Sequence, residues 1–526
     1  MTKTEVLVVG AGPTGLVLAL WLDAQGVSVR IVDKAAEPGE TSRATVVHAR
    51  TLELYRQLNL ADAVVAAGNK ATGLTMWTGG KERAHLPLAE VGESLTPYPF
   101  VLIYPQDLHE RFLVERLSAR GITVERRMEL LDVADDGQVV RARLRGPDGR
   151  EETCQVRYLA GCDGARSTVR KGLGASFEGG TYEQLFYVAD VEVETNSSGG
   201  NINVIFEGPE FMLTMPYGHE NRLRFIGTTR EDRAEKGQPL TFEDVRRGVI
   251  DAAGFKVLAV HWFSTYRVHH RVTERFRHDR VFLLGDAAHV HSPAGGQGMN
   301  TGIGDAINLA WKLAAVIREQ AGDDLLDSFE AERPVFARRL VATTDRVFTA
   351  VTAQGSFAEF MRAQIAPIFA KVAWRLDMTR EAAFRLVSQT MLDYSDSPLS
   401  VGEAGKVAGG DRLPFVRFEG GDNYASLSAI RWQVHVYGAA NQDLRQTCAD
   451  HDIALHQFPW RTEFGKAGLA RNAAYLLRPD TYVGLADPDG SGAALTAYLK
   501  KHSLRLGKGV SEGAGRARPV ADHFRC

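Results

Sequence analysis

Two glycine-rich stretches far apart in the chain carry residue types suited to one task, holding an extended dinucleotide at both ends. The first, VLVVGAGPTG, sets Gly10, Gly12 and Gly15 directly after a short apolar run. Glycines at this spacing permit a tight turn, backbone approach to a pyrophosphate and close packing of helix on strand. Free amides at the helix start then receive the negative charge. The second stretch, GDAAHVHSPAGGQGMN, runs from Gly285 to Asn300 and brings its own acid, Asp286. That carboxylate can bond a ribitol or ribose hydroxyl, and a helix beginning just beyond would turn its positive end back into the loop.

These residues need strands and helices to place them. Residues 6–9 read as a buried parallel strand and residues 16–24 as a helix that Gly26 stops. Residues 27–32 form a second strand ending at Asp33, about 20 residues past the fingerprint, where a carboxylate meets ribose hydroxyls. Val281 to Leu284 read as another buried strand. Ile303, Ile307, Ala310, Leu313, Ala314 and Ile317 recur at helical spacing, so a helix begins near Asn300. Asp163-Gly164 in YLAGCDGARSTVR is a turn with Arg166 and Arg170 close behind. Between Phe177 and Phe276, residues 186–193, 203–206, 211–215, 222–228 and 257–263 read as strands of an antiparallel sheet roofing the dinucleotide. Its aromatic and methionine side chains suit an apolar pocket, although strand alternation turns about half of them into the core.

Composition narrows the classes further. The 526 residues suggest about three domains. A net charge of -3 with mixed signs leaves no basic stripe for nucleic acid. Four cysteines without C-x-x-C spacing speak against a disulfide framework, redox exchange or zinc. No apolar run approaches the ~18 residues of a membrane span. Glu5, the glycines and Pro13 interrupt any secretory signal, so a soluble, cytoplasmic protein is expected. Residues 331–387 are helix-rich, and the glycine-dense stretch from Ser395 to Gly421 reads as a linker. Beyond it come a strand at 431–437, a helix at 442–451, strands at 475–477 and 482–485 flanking the turn RPDT, and a last helix at 493–502. There is no second dinucleotide fingerprint, so a nicotinamide reductant would bind only transiently.

Taken in order and spacing, GAGPTG, SRATVVHARTLE, YPQDLHERF, GCDGARSTVR and GDAAHVHSPAGGQGMN resemble the class A FAD-dependent aromatic hydroxylases, the family typified by para-hydroxybenzoate hydroxylase. The length and C-terminal extension are similar to its phenol hydroxylase and polyketide-tailoring branch. The resemblance implies an α/β fold. A Rossmann-like FAD-binding domain would span residues 1–175 and return at 279–395. An antiparallel substrate sheet would be inserted at 176–278, with residues around 70–104 adding to the substrate side. A thioredoxin-like domain would follow at 396–506 and a mobile tail at 507–526.

FAD would be the resident cofactor, with NADPH or NADH visiting. By the same resemblance, Gly10, Gly12, Thr14 and Gly15 would hold the pyrophosphate. Asp33 would hold the adenosine ribose, where the family more often has Glu. Arg43 would meet FAD phosphates or the entering reductant, Gln106 and Asp286 the ribityl chain, and Asp163 both FAD and NADPH. Pro293, Gly298, Met299 and Asn300 would line the isoalloxazine, and Pro13, Lys34 and Gly296 complete the cofactor set. Phe206, Met212, Arg224 and Pro293 are the candidate substrate contacts.

The implied reaction is hydroxylation of a phenolic or polycyclic aromatic small molecule, polyketides included, by NAD(P)H and dioxygen through a flavin 4a-hydroperoxide. Baeyer-Villiger oxygenation on the same scaffold and a non-catalytic FAD- or ligand-binding role are the alternatives. The W-x-W-x-I-P signature of flavin halogenases is absent. His269, His270, His289 and His291 tempt a catalytic reading, but the cofactor carries most of this chemistry and no base is assigned. A homodimer is admitted.

Overall fold

The computed structural model describes residues 4–39, 44–88, 91–194, 200–207, 210–218, 221–229, 240–244, 247–292, 296–352, 374 and 377–507. Arg43, Pro293 and residues 508–526 of the expected tail lie outside them.

Val6–Val9 is apolar and buried at every position because it has a parallel neighbour on each side, Val29–Asp33 and Tyr158–Gly161. Six strands form this sheet in the order Arg277–His278, Val281–Leu283, Tyr158–Gly161, Val6–Val9, Val29–Asp33, Val124–Arg126. All pairs are parallel except the hairpin at the Arg277–His278 edge. The chain leaves Val6–Val9 at Gly10, whose φ of +107° favours glycine, and a Cβ there would lie 2.3 Å from the Cys162 carbonyl oxygen. At Gly15 a Cβ would lie 2.0 Å from the Gly10 carbonyl oxygen. Bare backbone at both points lets the helix Pro13–Ala24 lie directly on the sheet. Gly15 to Leu22 are all buried, because the sheet and the helices Gln106–Ser118 and Gln297–Ile317 surround it.

The second sheet has eight strands, built on the long antiparallel pair Glu178–Glu194 and Lys256–Val272. Arg222–Thr229, Glu210–Pro216 and Asn201–Glu207 continue it antiparallel. The expectation of a wholly antiparallel sheet needs one correction. Gly73–Thr78 joins Asn201–Glu207 in parallel and brings Lys81–Pro87 as the edge. These two strands come from the early stretch expected to serve the substrate side, and a pairing across so long a crossover has no need of a hairpin. One face of the sheet packs Tyr187, Ile205, Met212 and Phe225 into a core. The other carries Val188, Met215 and Ile226.

The C-terminal sheet runs Ala454–Phe458, Gln433–Tyr437, Ala474–Leu477, Val483–Asp487, with the first pair parallel and the others antiparallel. With helices Gln442–Asp450, Thr462–Lys466 and Gly492–Lys501 between and after the strands, this order is consistent with the thioredoxin-like expectation. The stretch from Ser395 to Gly421 is no linker. Ala404, Val407, Leu413, Phe415 and Val416 are buried in the C-terminal core. Its glycines serve close turns: Gly410, at φ +95°, has no room for a Cβ beside the Tyr394 backbone. Among the described residues, no helix is long and apolar enough to cross a membrane, and no His/Cys/Asp/Glu group could hold a metal ion.

Candidate active site

A cavity of about 710 Å³ lies between the two larger sheets. Both glycine-rich elements reach it. Gly12, Pro13 and Thr14 form one end of the wall, and Asp286, Gly296, Gly298 and Met299 another, with Gln106 also at the surface. A Cβ on Gly12 would meet nothing within 4 Å, so bare backbone faces open space here.

Two helices begin at this wall, and neither start carries a side-chain cap or an acid in its first turn. Pro13–Ala24 follows Gly12 in extended conformation, and Gln297–Ile317 follows Gly296 in the left-handed region at φ +64°. The first amides of a helix have no partner within it and carry roughly half a positive charge together. Two such ends on one cavity make two places for negative charge. Ser292 adds a polar atom, for its buried hydroxyl lines the cavity and has no hydrogen-bond partner among the described residues.

The other sequence candidates take up positions around this wall. Gly10 and Gly15 sit behind it as packing points. Asp33 ends its strand and accepts from the amides of Ala11 at 2.6 Å and Ala35 at 2.7 Å, away from the cavity lining. Lys34 is exposed beside it. Gln106 donates to Glu110 Oε1 at 2.7 Å. Burial raises the Glu110 carboxyl above its usual range, against the Gln106 and Gly39 hydrogen bonds. Asp163 turns its carboxylate onto the short helix after it, accepting from Ser167 Oγ at 2.5 Å and the Thr168 amide at 2.6 Å. Its neighbours Cys162, Gly164 and Ala165 line the cavity instead, and burial pushes the Cys162 thiol well up.

Asn300 differs from expectation. Its side chain is a brace: Oδ1 accepts from the His48 amide and Thr51 Oγ1, and Nδ2 donates to the carbonyls of Val46 and Gly296.

The substrate candidates are corrected more strongly. Met212 lies on the far face of the large sheet, in the core with Tyr187 and Phe225, while Leu213 and Met215, one and three positions on, line the cavity. Alternation along the strand makes that swap, and the sequence does not say which face turns inward. Phe206 packs on Phe211 at 5.7 Å, further along its strand than the cavity-lining Ile202. Arg224 is neither at the cavity nor at a solvated edge. It is fully buried, with Nε and Nη2 each 2.7 Å from the Asp190 carboxylate and its guanidinium over the Tyr217 ring.

Sequence reasoning missed Asp305. This buried carboxylate accepts from the Gly285 amide at 2.9 Å, contacts His289 Nε2 at 2.7 Å and receives Arg333 Nε at 2.6 Å. Burial would raise its carboxyl, but Arg333 and His289 outweigh that and hold it low. It therefore pins the backbone on either side of Asp286. An acid within an otherwise apolar helical face was the available signal, since a buried charge requires partners. His289 is accounted for by this bond, whereas His269 and His291 line the cavity.

Comparison with known proteins agrees with this geometry. A profile described as "FAD binding domain" matches residues 3–344. A 6-methylpretetramide 4-monooxygenase of Streptomyces rimosus is 35% identical, covering 99% of this chain and 98% of its own. Pentachlorophenol 4-monooxygenase of Sphingobium chlorophenolicum is 33% identical over 78% of this chain and 75% of its own. The solved structure of an anhydrotetracycline hydroxylase from Streptomyces rimosus superposes with a TM-score of 0.76 at 28% identity, covering 96% of this chain and all of that one. The chain belongs to the family of FAD-dependent aromatic monooxygenases. The residues fit that cofactor: a bare-backbone cradle at Gly12, two uncapped helix starts and an unpartnered buried hydroxyl all face one cavity.

Proposed function

We propose that this enzyme hydroxylates a polycyclic, polyketide-like phenol with NAD(P)H and dioxygen. The observation that carries the reading is the apolar roof: Leu74, Leu86, Leu213, Met215 and Ile226 line the same cavity of about 710 Å³ as the two helix starts. The apolar part of this lining suits a multi-ring molecule held beside the cofactor site.

Bound FAD supplies hydride acceptance from the reductant and the activation of dioxygen. The amides of Gly12 and Thr14 would receive the pyrophosphate, and Asp33 would meet the adenosine ribose. Gln106 and Asp286 meet ribityl hydroxyls. The uncapped start of Gln297–Ile317, with Gly298 and Met299 at the cavity wall, would hold the ring end of the cofactor and favour negative charge there. The apolar sheet face keeps water from the reacting centre, where it would divert oxygen to peroxide. We place the enzyme in the cytoplasm, where NAD(P)H is supplied, and its self-association is read by sedimentation.

The test is turnover with labelled dioxygen on monocyclic phenols and on three- and four-ring phenols. One labelled oxygen on a ring carbon, with tighter coupling on the larger rings, is the expected result. Label in a lactone would assign Baeyer-Villiger chemistry. Peroxide alone with every aromatic would overturn the reading.

A further inference from the structure

One side of the cavity is closed by a seam between two segments distant in sequence. Leu86, Leu88 and Val91 come from the early strand and the turn after it, and Trp374, Ala383 and Phe384 from the other segment. Two hydrogen bonds tie the seam: Trp374 Nε1 donates to the Pro87 carbonyl at 3.2 Å, and Ser94 Oγ to Glu381 Oε1 at 3.2 Å. Between these ties the Phe384 ring rests on Gly92. A Cβ added to Gly92 would lie 2.5, 2.6 and 2.9 Å from three ring carbons.

Gly92 is not required by its backbone, for it does not adopt the left-handed conformation. Its carbonyl accepts from the amides of Leu95 and Thr96, an arrangement open to any residue. The missing side chain therefore has one evident use, to leave room for the ring. Phe384 is only 4% exposed and packed within the main core, so its unfilled side is the cavity. Any atom added at Gly92 moves the ring inward by about 1 Å, the difference between the overlap and ordinary contact.

We propose that the Gly92–Phe384 contact sets the upper size of the ring system the cavity admits, making Phe384 a specificity-determining residue. The inference rests on the reading that polycyclic phenols are the substrates. In its ground state the seam holds the ring back and leaves the widest cavity. A bulkier residue at position 92 narrows it, and a smaller one at position 384 widens it.

The test uses FAD-loaded wild type, Gly92→Ala, Phe384→Ala and the double variant. Dissociation constants for phenol, a trihydroxyanthraquinone and anhydrotetracycline are read from the perturbed flavin absorbance. Gly92→Ala is expected to weaken the four-ring ligand by about tenfold and leave phenol within about twofold. In the Phe384→Ala background the same substitution should have no effect, because no ring remains to be displaced. Phe384→Ala alone should bind the four-ring ligand at least as tightly as wild type, which keeps the test open if Gly92→Ala does not fold. Equal losses from Gly92→Ala in both backgrounds, or weaker four-ring binding by Phe384→Ala, would overturn the proposal while leaving the substrate class intact. Failure of wild type to bind either polycycle would overturn the substrate class and this inference with it.

Discussion

Gly10 and Gly12 belong to one fingerprint yet meet opposite surroundings, and that difference separates folding from cofactor binding. A Cβ on Gly10 strikes the Cys162 backbone at a φ of +107°, whereas one on Gly12 enters open space. Gly10→Ala is therefore expected to destabilise the apoprotein by about 2–3 kcal/mol, from backbone strain and overpacking together. Gly12→Ala should leave apoprotein stability within about 0.5 kcal/mol of wild type. It should still weaken FAD binding by about tenfold or more, because the pyrophosphate needs bare backbone. Thermal denaturation of apoprotein and FAD titration measure the two effects. Equal behaviour of the two variants would refute the division. At this scale the fingerprint was readable because its demands are local. Met212 was misassigned because alternation reports a period without a phase, and Leu213 and Met215 face the cavity in its place.

The helix Gln106–Ser118 illustrates what an element contributes beyond one contact. It presents Gln106 to the cavity and buries His109, whose ring contacts Tyr55 Oη at 3.0 Å. Burial lowers the His109 pKa from 6.5 to about 3, so the folded protein holds this ring neutral. The unfolded chain binds the proton more readily between those values. Stability from this group is complete above pH 6.5 and is lost as pH falls toward about 3, at up to about 1.4 kcal/mol per pH unit. His109→Phe should flatten that dependence. Urea midpoints at pH 5 and pH 7.5 for both proteins decide it, and an unchanged slope in the variant would exclude His109 as the source. Periodicity revealed the strands at 6–9, 27–32 and 281–284 and the helices after both glycine loops, since burial on one face is written into residue order, whereas the helix Gln106–Ser118 and the strands between residues 124 and 156 were not read from it. The glycines of residues 395–421 were mistaken for a linker because tight turns against a core and flexible chain share one composition. The parallel junction of Gly73–Thr78 with Asn201–Glu207 leaves no local mark at all.

Across the whole molecule, the C-terminal unit is joined to the flavin-side helix by buried charge. Arg478 holds Glu332 through two hydrogen bonds, of 2.7 and 3.0 Å, and also binds Asp480. Lys312 Nζ donates to Glu332 at 2.8 Å, and Trp311 Nε1 to Asp480 at 3.0 Å. Arg50 reaches the Asp480 carbonyl at 2.8 Å. Burial alone would raise the Glu332 carboxyl, but Arg478 and Lys312 hold it far below its usual range. Arg478→Leu should cost about 3–5 kcal/mol, since it strands buried carboxylates without a partner. A thermal shift within error of wild type would contradict this. None of these pairings could be read from spacing, because the partners are brought together only by the finished fold.

The R-P-D turn also has a bearing on the order in which the enzyme is completed. During synthesis the first glycine turn emerges early, and the second follows well after it. The helix that begins at Gln297 is braced at Asn308, Trp311 and Lys312 by groups arriving as late as Arg478 and Asp480. A nascent chain that has displayed both glycine loops still lacks the clamp that fixes one of them. Full hold on the cofactor is thus expected only once residues 478–480 have folded against that helix.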